Sequence, residues 1–121
     1  MNSIITRFAP SPTGDLHIGS IRTALINYIV TEKNKIKYPD SKLLLRIEDT
    51  DKKRSDEKYI NKIICGLKWM GISYDKEIYT QSKKIKRHQE IALELLKNNK
   101  AFKCICSSET LQKKRDYNKL K

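Results

Sequence analysis

Arg7-Phe8-Ala9-Pro10-Ser11-Pro12-Thr13-Gly14-Asp15-Leu16-His17-Ile18-Gly19-Ser20 is the stretch on which the reading of this chain turns. It continues a short β-branched segment, Ser3-Ile4-Ile5-Thr6, so residues 3–9 read as a strand. Pro10 and Pro12 then remove backbone donors and end the ladder, and Gly14 tolerates the unusual φ of a turn. From His17 to about residue 33, Ile18, Ile21, Leu25, Tyr28 and Ile29 recur at spacings of three and four, which predicts a helix with those side chains on its buried face. A strand, a turn and a helix start in that order present free N–H groups and the positive end of a helix dipole, a natural seat for phosphate. The stretch is neither a dinucleotide GxGxxG fingerprint nor a Walker loop.

Outward from this stretch the pattern alternates. Residues 34–42 hold Pro39, Asp40 and Ser41 and read as a loop. Residues 43–48 form a second strand whose run Leu43-Leu44-Leu45 suits a strand covered on both faces of a parallel sheet. Ser55 is the expected cap of the next helix, with Asp56 and Glu57 in its first turn. Ile60, Ile63, Ile64, Leu67 and Met70 give that helix a buried stripe, and Gly71 ends it. A further helix is expected over residues 82–98 and a third strand over residues 101–106. The order strand, helix, strand, helix, helix, strand predicts an α/β fold with a parallel sheet. Ligands of such sheets bind beyond the carboxyl ends of the strands, where residues 10–19 and 48–51 lie.

Composition narrows the class. The 121 residues suffice for one modest domain; 38% are apolar and 33% charged, a globular balance. No apolar run approaches the ~20 residues of a membrane helix, and residues 1–7 do not read as a signal peptide, so a cytoplasmic protein is expected. The formal charge of +12 favours polyanionic partners, nucleic acid first. Most of the basic residues are lysine, and Ile and Asn are also plentiful, a pattern that coding-DNA bias produces as well, so charge alone does not decide. Three cysteines do not make a disulfide framework. Cys65, Trp69 and Phe102 are expected in the core.

Three strings of residues carry a family resemblance. His17-Ile18-Gly19-Ser20 resembles the His-Ile-Gly-His signature of class I aminoacyl-tRNA synthetases. Flanked by Arg7 to Gly14 and by Arg22-Thr23-Ala24-Leu25, it resembles the glutamyl branch, in which the last His of the signature is commonly a small residue. Arg46-Ile47-Glu48-Asp49-Thr50-Asp51 and Tyr79-Thr80-Gln81-Ser82 follow in the family's order. The resemblance implies the first half of a Rossmann-like domain over residues 1–100, then the start of a tRNA acceptor-binding insertion over residues 101–121. It implies activation of glutamate with ATP and Mg2+ to glutamyl-adenylate and transfer to tRNA(Glu), by a cytoplasmic enzyme that is a monomer at full length.

The same resemblance implies residue roles. Arg7 matches an arginine that pairs with the substrate's side-chain carboxylate, which suits a planar bidentate fork. Ser11 matches a hydroxyl on the amino acid, and Glu48 an acid that receives its ammonium. His17 matches the donor to the ATP phosphates, with Gly19 leaving room for adenine and Ser20 also on the ATP side. Asp51 and Arg54 fall where relatives approach the tRNA acceptor end. Arg7 and Glu48 also read as a structural ion pair, and Asp49 as a ligand of nearby backbone.

Cys104-Ile105-Cys106 is similar to a Cys-x-Cys pair that opens a zinc site in some bacterial relatives. Zinc needs about four ligands, and this chain on its own is expected to hold none tightly. The family's lysine-rich second ATP motif does not occur in these residues, so an N-terminal fragment, inactive alone, is expected. Two alternatives stand beside the ligase: a glutamyl-queuosine tRNA(Asp) synthetase, and a non-catalytic remnant or binding module.

Overall fold

In the computed structural model, which describes residues 3–75 and 77–119, three parallel strands stand in the order β1-β2-β3. They are β1 (Ile5–Phe8), β2 (Lys42–Ile47) and β3 (Ile78–Thr80). Helix α1 (Ile18–Lys35) joins the first pair and α2 (Glu57–Trp69) precedes the third strand. A 3-10 turn (Gln81–Lys84), α3 (Ile85–Lys97) and α4 (Ser108–Lys119) follow. The chain divides into two compact units, Met1–Ile85 and Lys86–Lys121.

In the first unit, Thr6 pairs with Leu43 and Phe8 with Leu45 across β1 and β2, while Leu45 pairs with Ile78 and Ile47 with Thr80 across β2 and β3. Paired residues of a parallel sheet share a face, so these seven form the inner one. Phe8, Leu43, Leu45 and Ile47 are buried there with Ala24 of α1, Ile63 and Leu67 of α2, and Ile72. The opposite face carries Ile5, Arg7, Leu44, Arg46 and Tyr79, with Glu48 one residue past the strand.

The α/β parallel architecture was legible in the sequence; four particulars differ. First, the third strand is Ile78–Thr80, and residues 101–107 take no regular structure. Three β-branched or aromatic residues suffice because β2 already offers a free edge for pairing. Second, α1 turns Ala24 and Thr31 inward, while Ile18, Leu25 and Ile29 of the expected buried face are exposed. Small residues win because the helix packs close to the sheet. The Thr31 hydroxyl, fully buried, donates to the Asn27 carbonyl at 2.9 Å and meets the Thr6 hydroxyl at 2.5 Å, so its burial leaves no polar group unsatisfied. Third, the α2 cap is Asp56 rather than Ser55: its carboxylate accepts from the Lys58 amide at 2.9 Å. Fourth, Cys65, Trp69 and Phe102 are exposed. Cys65 and Trp69 each stand two residues beyond the buried Ile63 and Leu67, roughly the opposite side of a 3.6-residue helix.

Gly71 ends α2 as its sequence implies. It takes φ +67, its amide donates to the Lys68 carbonyl, and the Ile72 amide donates back to the Leu67 carbonyl. That is the paired-bond stop in which a left-handed residue reverses the chain, and it delivers Ile72 into the same core as Leu67. In the second unit Asn99, at φ 54, ends α3 in the same way, its amide bonding to Leu96 and that of Lys100 to Leu95. Ser107 caps α4 through its hydroxyl on the Thr110 amide.

Ile47 is fully buried and Trp69 is 84% exposed. Ile47→Ala is expected to cost about 2–5 kcal/mol in urea unfolding, and Trp69→Ala to stay within about 0.5 kcal/mol.

Candidate functional site

The turn between β1 and α1 is stitched by what it can accept. The carbonyl of Pro10 takes the Glu48 amide at 3.0 Å, and that of Pro12 takes the Asp56 amide at 3.1 Å. Pro12 is itself fully buried. The side of the turn toward α2 is closed by Leu16: a Cβ added at Gly66 would lie 2.8 Å from its terminal carbon, so that glycine is what lets Leu16 seat. Immediately after Leu16 comes His17, whose placement is thereby decided by the core.

His17 is the N-cap of α1. Its Nδ1 accepts from the Gly19 amide at 3.2 Å, and an added Cβ on Gly19 would stand 3.0 Å and 3.1 Å from the ring. With Nδ1 occupied as acceptor, a neutral imidazole carries its proton on Nε2. The ring therefore caps its own helix with one nitrogen and offers an outward donor with the other. The capping and functional readings of this histidine are compatible.

A cleft of about 570 Å³ opens at this point, lined among others by Arg7, Ser11, Thr13, His17, Ser20 and Thr23. Four of the sequence-selected residues, Arg7, Ser11, His17 and Ser20, thus share one concavity; Gly19 lies behind the His17 ring. Arg7 makes no ion pair among the described residues. The alternative reading of Arg7 and Glu48 as a structural ion pair does not hold, since Glu48 pairs instead with Arg46 two residues before it. The Glu48 side chain does not line the cleft, but its amide is bonded to the cleft residue Pro10. Arg7 lies opposite Leu44, four residues before Glu48 on the same sheet face, an axial offset of roughly 13 Å.

Asp51 and Arg54 bind each other at 2.6 Å on the surface. The bond to Arg54 holds the Asp51 carboxyl below its ordinary value. Asp49 does bind backbone, but 33 positions away rather than in the next turn: it accepts the Ser82 amide at 2.8 Å and the Ser82 hydroxyl at 2.5 Å. Partial burial pushes Asp49 up, yet the two Ser82 bonds and nearby charge outweigh it and hold the carboxyl below its usual range. No local signal in the sequence announces that contact.

In the second unit the Cys104 thiol is lowered by hydrogen bonds involving Cys106 and by Lys114. The described residues contain no cluster of three or more His, Cys, Asp or Glu suited to a metal. No described helix is long and apolar enough to cross a membrane.

The family model described as "tRNA synthetases class I (E and Q), catalytic domain" matches residues 3–121. The chain is 52% identical over 115 residues to "Glutamate--tRNA ligase 2" of Ehrlichia chaffeensis, covering 95% of this chain and 24% of that protein. It superposes on the glutamate-tRNA synthetase of Elizabethkingia anophelis with a TM-score of 0.81 at 32% identity, covering 96% of this chain and 24% of that one. A glutamate tRNA ligase from Elizabethkingia meningosepticum, solved in complex with its amino acid, gives a TM-score of 0.79 at 32% identity, with the same coverage. The chain belongs to the class I tRNA synthetases of the E and Q branch, and its sheet is the beginning of their Rossmann-like catalytic domain. It spans about a quarter of the length of these relatives.

Two outcomes test the geometry. His17→Asn keeps a good cap and is expected to hold stability within about 0.5 kcal/mol, whereas His17→Ala loses about 1 kcal/mol in chemical denaturation. Asp49 has a folded value below its unfolded one, so its stabilisation is complete above about pH 4 and fades as pH falls through the folded value. Melting temperatures across the acid range are expected to fall less steeply for Asp49→Asn than for the parent.

Proposed function

We propose that this chain supplies the amino-acid and ATP-phosphate half of a glutamate–tRNA ligase. The observation that carries the reading is the β1–α1 cleft, which the Arg7 guanidinium, the Ser11 hydroxyl and the His17 imidazole line together in a chain of this family. In the reaction the glutamate α-carboxylate attacks the α-phosphorus of ATP, forming glutamyl-adenylate and releasing pyrophosphate. The glutamyl group then passes to the terminal adenosine of tRNA(Glu).

The protein's part is positioning and charge. Arg7, exposed and without an internal ion pair among the described residues, is free to grip the substrate's side-chain carboxylate with both arms. Ser11 hydrogen-bonds the amino acid. Glu48, at the far end of the same sheet face, takes the ammonium, exchanging its bond to Arg46 for one to substrate. The offset along the strand leaves room for glutamate between them. The His17 Nε2–H donates to the phosphates as charge builds at the α-phosphorus, with Ser20 beside it, and Gly19 clears the approach of adenine. Asp51 and Arg54 meet the acceptor end of tRNA, toward which the net +12 charge draws the nucleic acid.

Magnesium enters as the companion of ATP, neutralising its phosphates: Asp15, the one carboxylate among the described residues lining the cleft, is bonded to Lys62 at 2.6 Å, so these residues build no cage of their own. Cys104 and Cys106 supply two of the four ligands that structural zinc requires, and the described residues add no third, so no step runs through zinc. We assign residues 1–100 to the nucleotide-binding half and 101–121 to the start of the acceptor-binding insertion, in a cytoplasmic enzyme that is a monomer at full length.

The test is pyrophosphate exchange by the complete product of the reading frame that contains residues 1–121. Exchange is expected with glutamate and not with glutamine or aspartate. His17→Asn, folded by design, is expected to lower the rate about 10²–10³-fold. Exchange supported equally by all three amino acids, or an unimpaired His17→Asn protein, would refute the assignment.

A further inference from the structure

Resting on the reading of Glu48 as the ammonium acceptor, we propose that Asp49 is a positioning residue: its carboxylate latches the loop after β2 to the turn after β3 and so fixes the aim of Glu48. The latch is built from two bonds to one partner, the Ser82 amide and the Ser82 hydroxyl, 33 positions away in sequence. It occupies a place that needs filling. The 3-10 turn Gln81–Lys84 has Thr80 as its N-cap, and Thr80 makes no side-chain capping bond. Asp49 satisfies the orphan amide from across the sheet instead, and places an anion at the positive end of the turn leading into α3.

The register shows why this bears on Glu48. Ile47 pairs with Thr80 in the last rung of the β2–β3 ladder, and Ile47 is fully buried. Glu48 is thus held from three directions: by Ile47 before it, by its own amide on Pro10, and by Asp49 after it. The first two anchor the chain up to the Glu48 nitrogen. Asp49 is the first anchor beyond the Glu48 carbonyl. The ladder itself ends at Ile47, so without the latch Glu48 begins a loop held only from its N-terminal side. Its carboxylate, paired with Arg46 while the latch is in place, is then less constrained toward the cleft.

A simple stabilising role would weaken every ligand alike; a positioning role weakens glutamate selectively. In the complete product of the reading frame, Ser82→Ala and Asp49→Asn are expected to raise KM for glutamate about tenfold while KM for ATP moves less than about twofold. Ser82→Thr, which keeps hydroxyl and amide, is expected to restore the parent value. Equal shifts in both KM values, or an unchanged KM for glutamate, would overturn the proposal. A second measurement does not depend on turnover: the Ser82 amide, whose acceptor is Asp49, is expected to exchange with solvent about tenfold faster in Asp49→Ala, and unchanged protection would also overturn it. A parent protein that shows no glutamate-dependent exchange removes the role of Glu48 itself, and amide exchange then decides the latch alone.

Discussion

Everything at this site depends on a turn whose two prolines cannot donate. Pro10 and Pro12 have no amide hydrogens, so the turn is held by its carbonyls, and the amides of Glu48 and Asp56 come to them. One bond ties the end of β1 to the end of β2, and the other ties the turn to the start of α2. The result is that three chain segments distant in sequence meet where the sheet's carboxyl edge and a helix start already favour anions. The burial of Pro12 and the seat of Leu16 against Gly66 make the turn part of the core rather than a loop on its surface. A histidine following such an anchored residue starts from a fixed backbone, which suits the donor role proposed for it.

The chemistry is divided by sheet face and strand end. The inner face is apolar apart from Thr6 and Thr80 and packs against the helices, while Arg7, Arg46 and Glu48 stand on the other. Charged groups at that edge are half-buried or exposed, and pair with each other where no ligand intervenes, as Arg46 and Glu48 do. That pairing compensates Arg46 and Glu48 with each other, while Arg7 makes no ion pair among the described residues, an arrangement the proposed zwitterionic substrate would complete.

The elements legible in the sequence were those whose signal is local. Pro-x-Pro, the run Leu43-Leu44-Leu45, the stripe from Ile60 to Met70 and Gly71 each announce a strand end, a strand, a helix or a stop within a few residues. The misplaced elements depended on distant partners. Ile78–Thr80 is too short to show a period, and becomes a strand because β2 has an edge to offer. The inward face of α1 is decided by the fit of Ala24 and the Thr6–Thr31 contact, against a more obvious stripe of Ile18, Leu25 and Ile29. Among candidate site residues, Arg7, Ser11, His17 and Ser20 were singled out by one short string resembling the family's, and they line one cleft. That Glu48 answers to Arg46, and Asp49 to Ser82, follows only from the folded sheet.

The central claim is spatial: one amino acid spans from Arg7 to Glu48 with its carboxylate brought beside the His17 donor. A crystal structure of the complete product with a non-hydrolysable glutamyl-adenylate analogue tests it most directly. The account places the analogue's side-chain carboxylate on both arms of Arg7, its ammonium on Glu48 and its phosphate mimic on His17 Nε2. An analogue bound with its side chain turned away from Arg7, or on a surface apart from the β1–α1 turn, would contradict it.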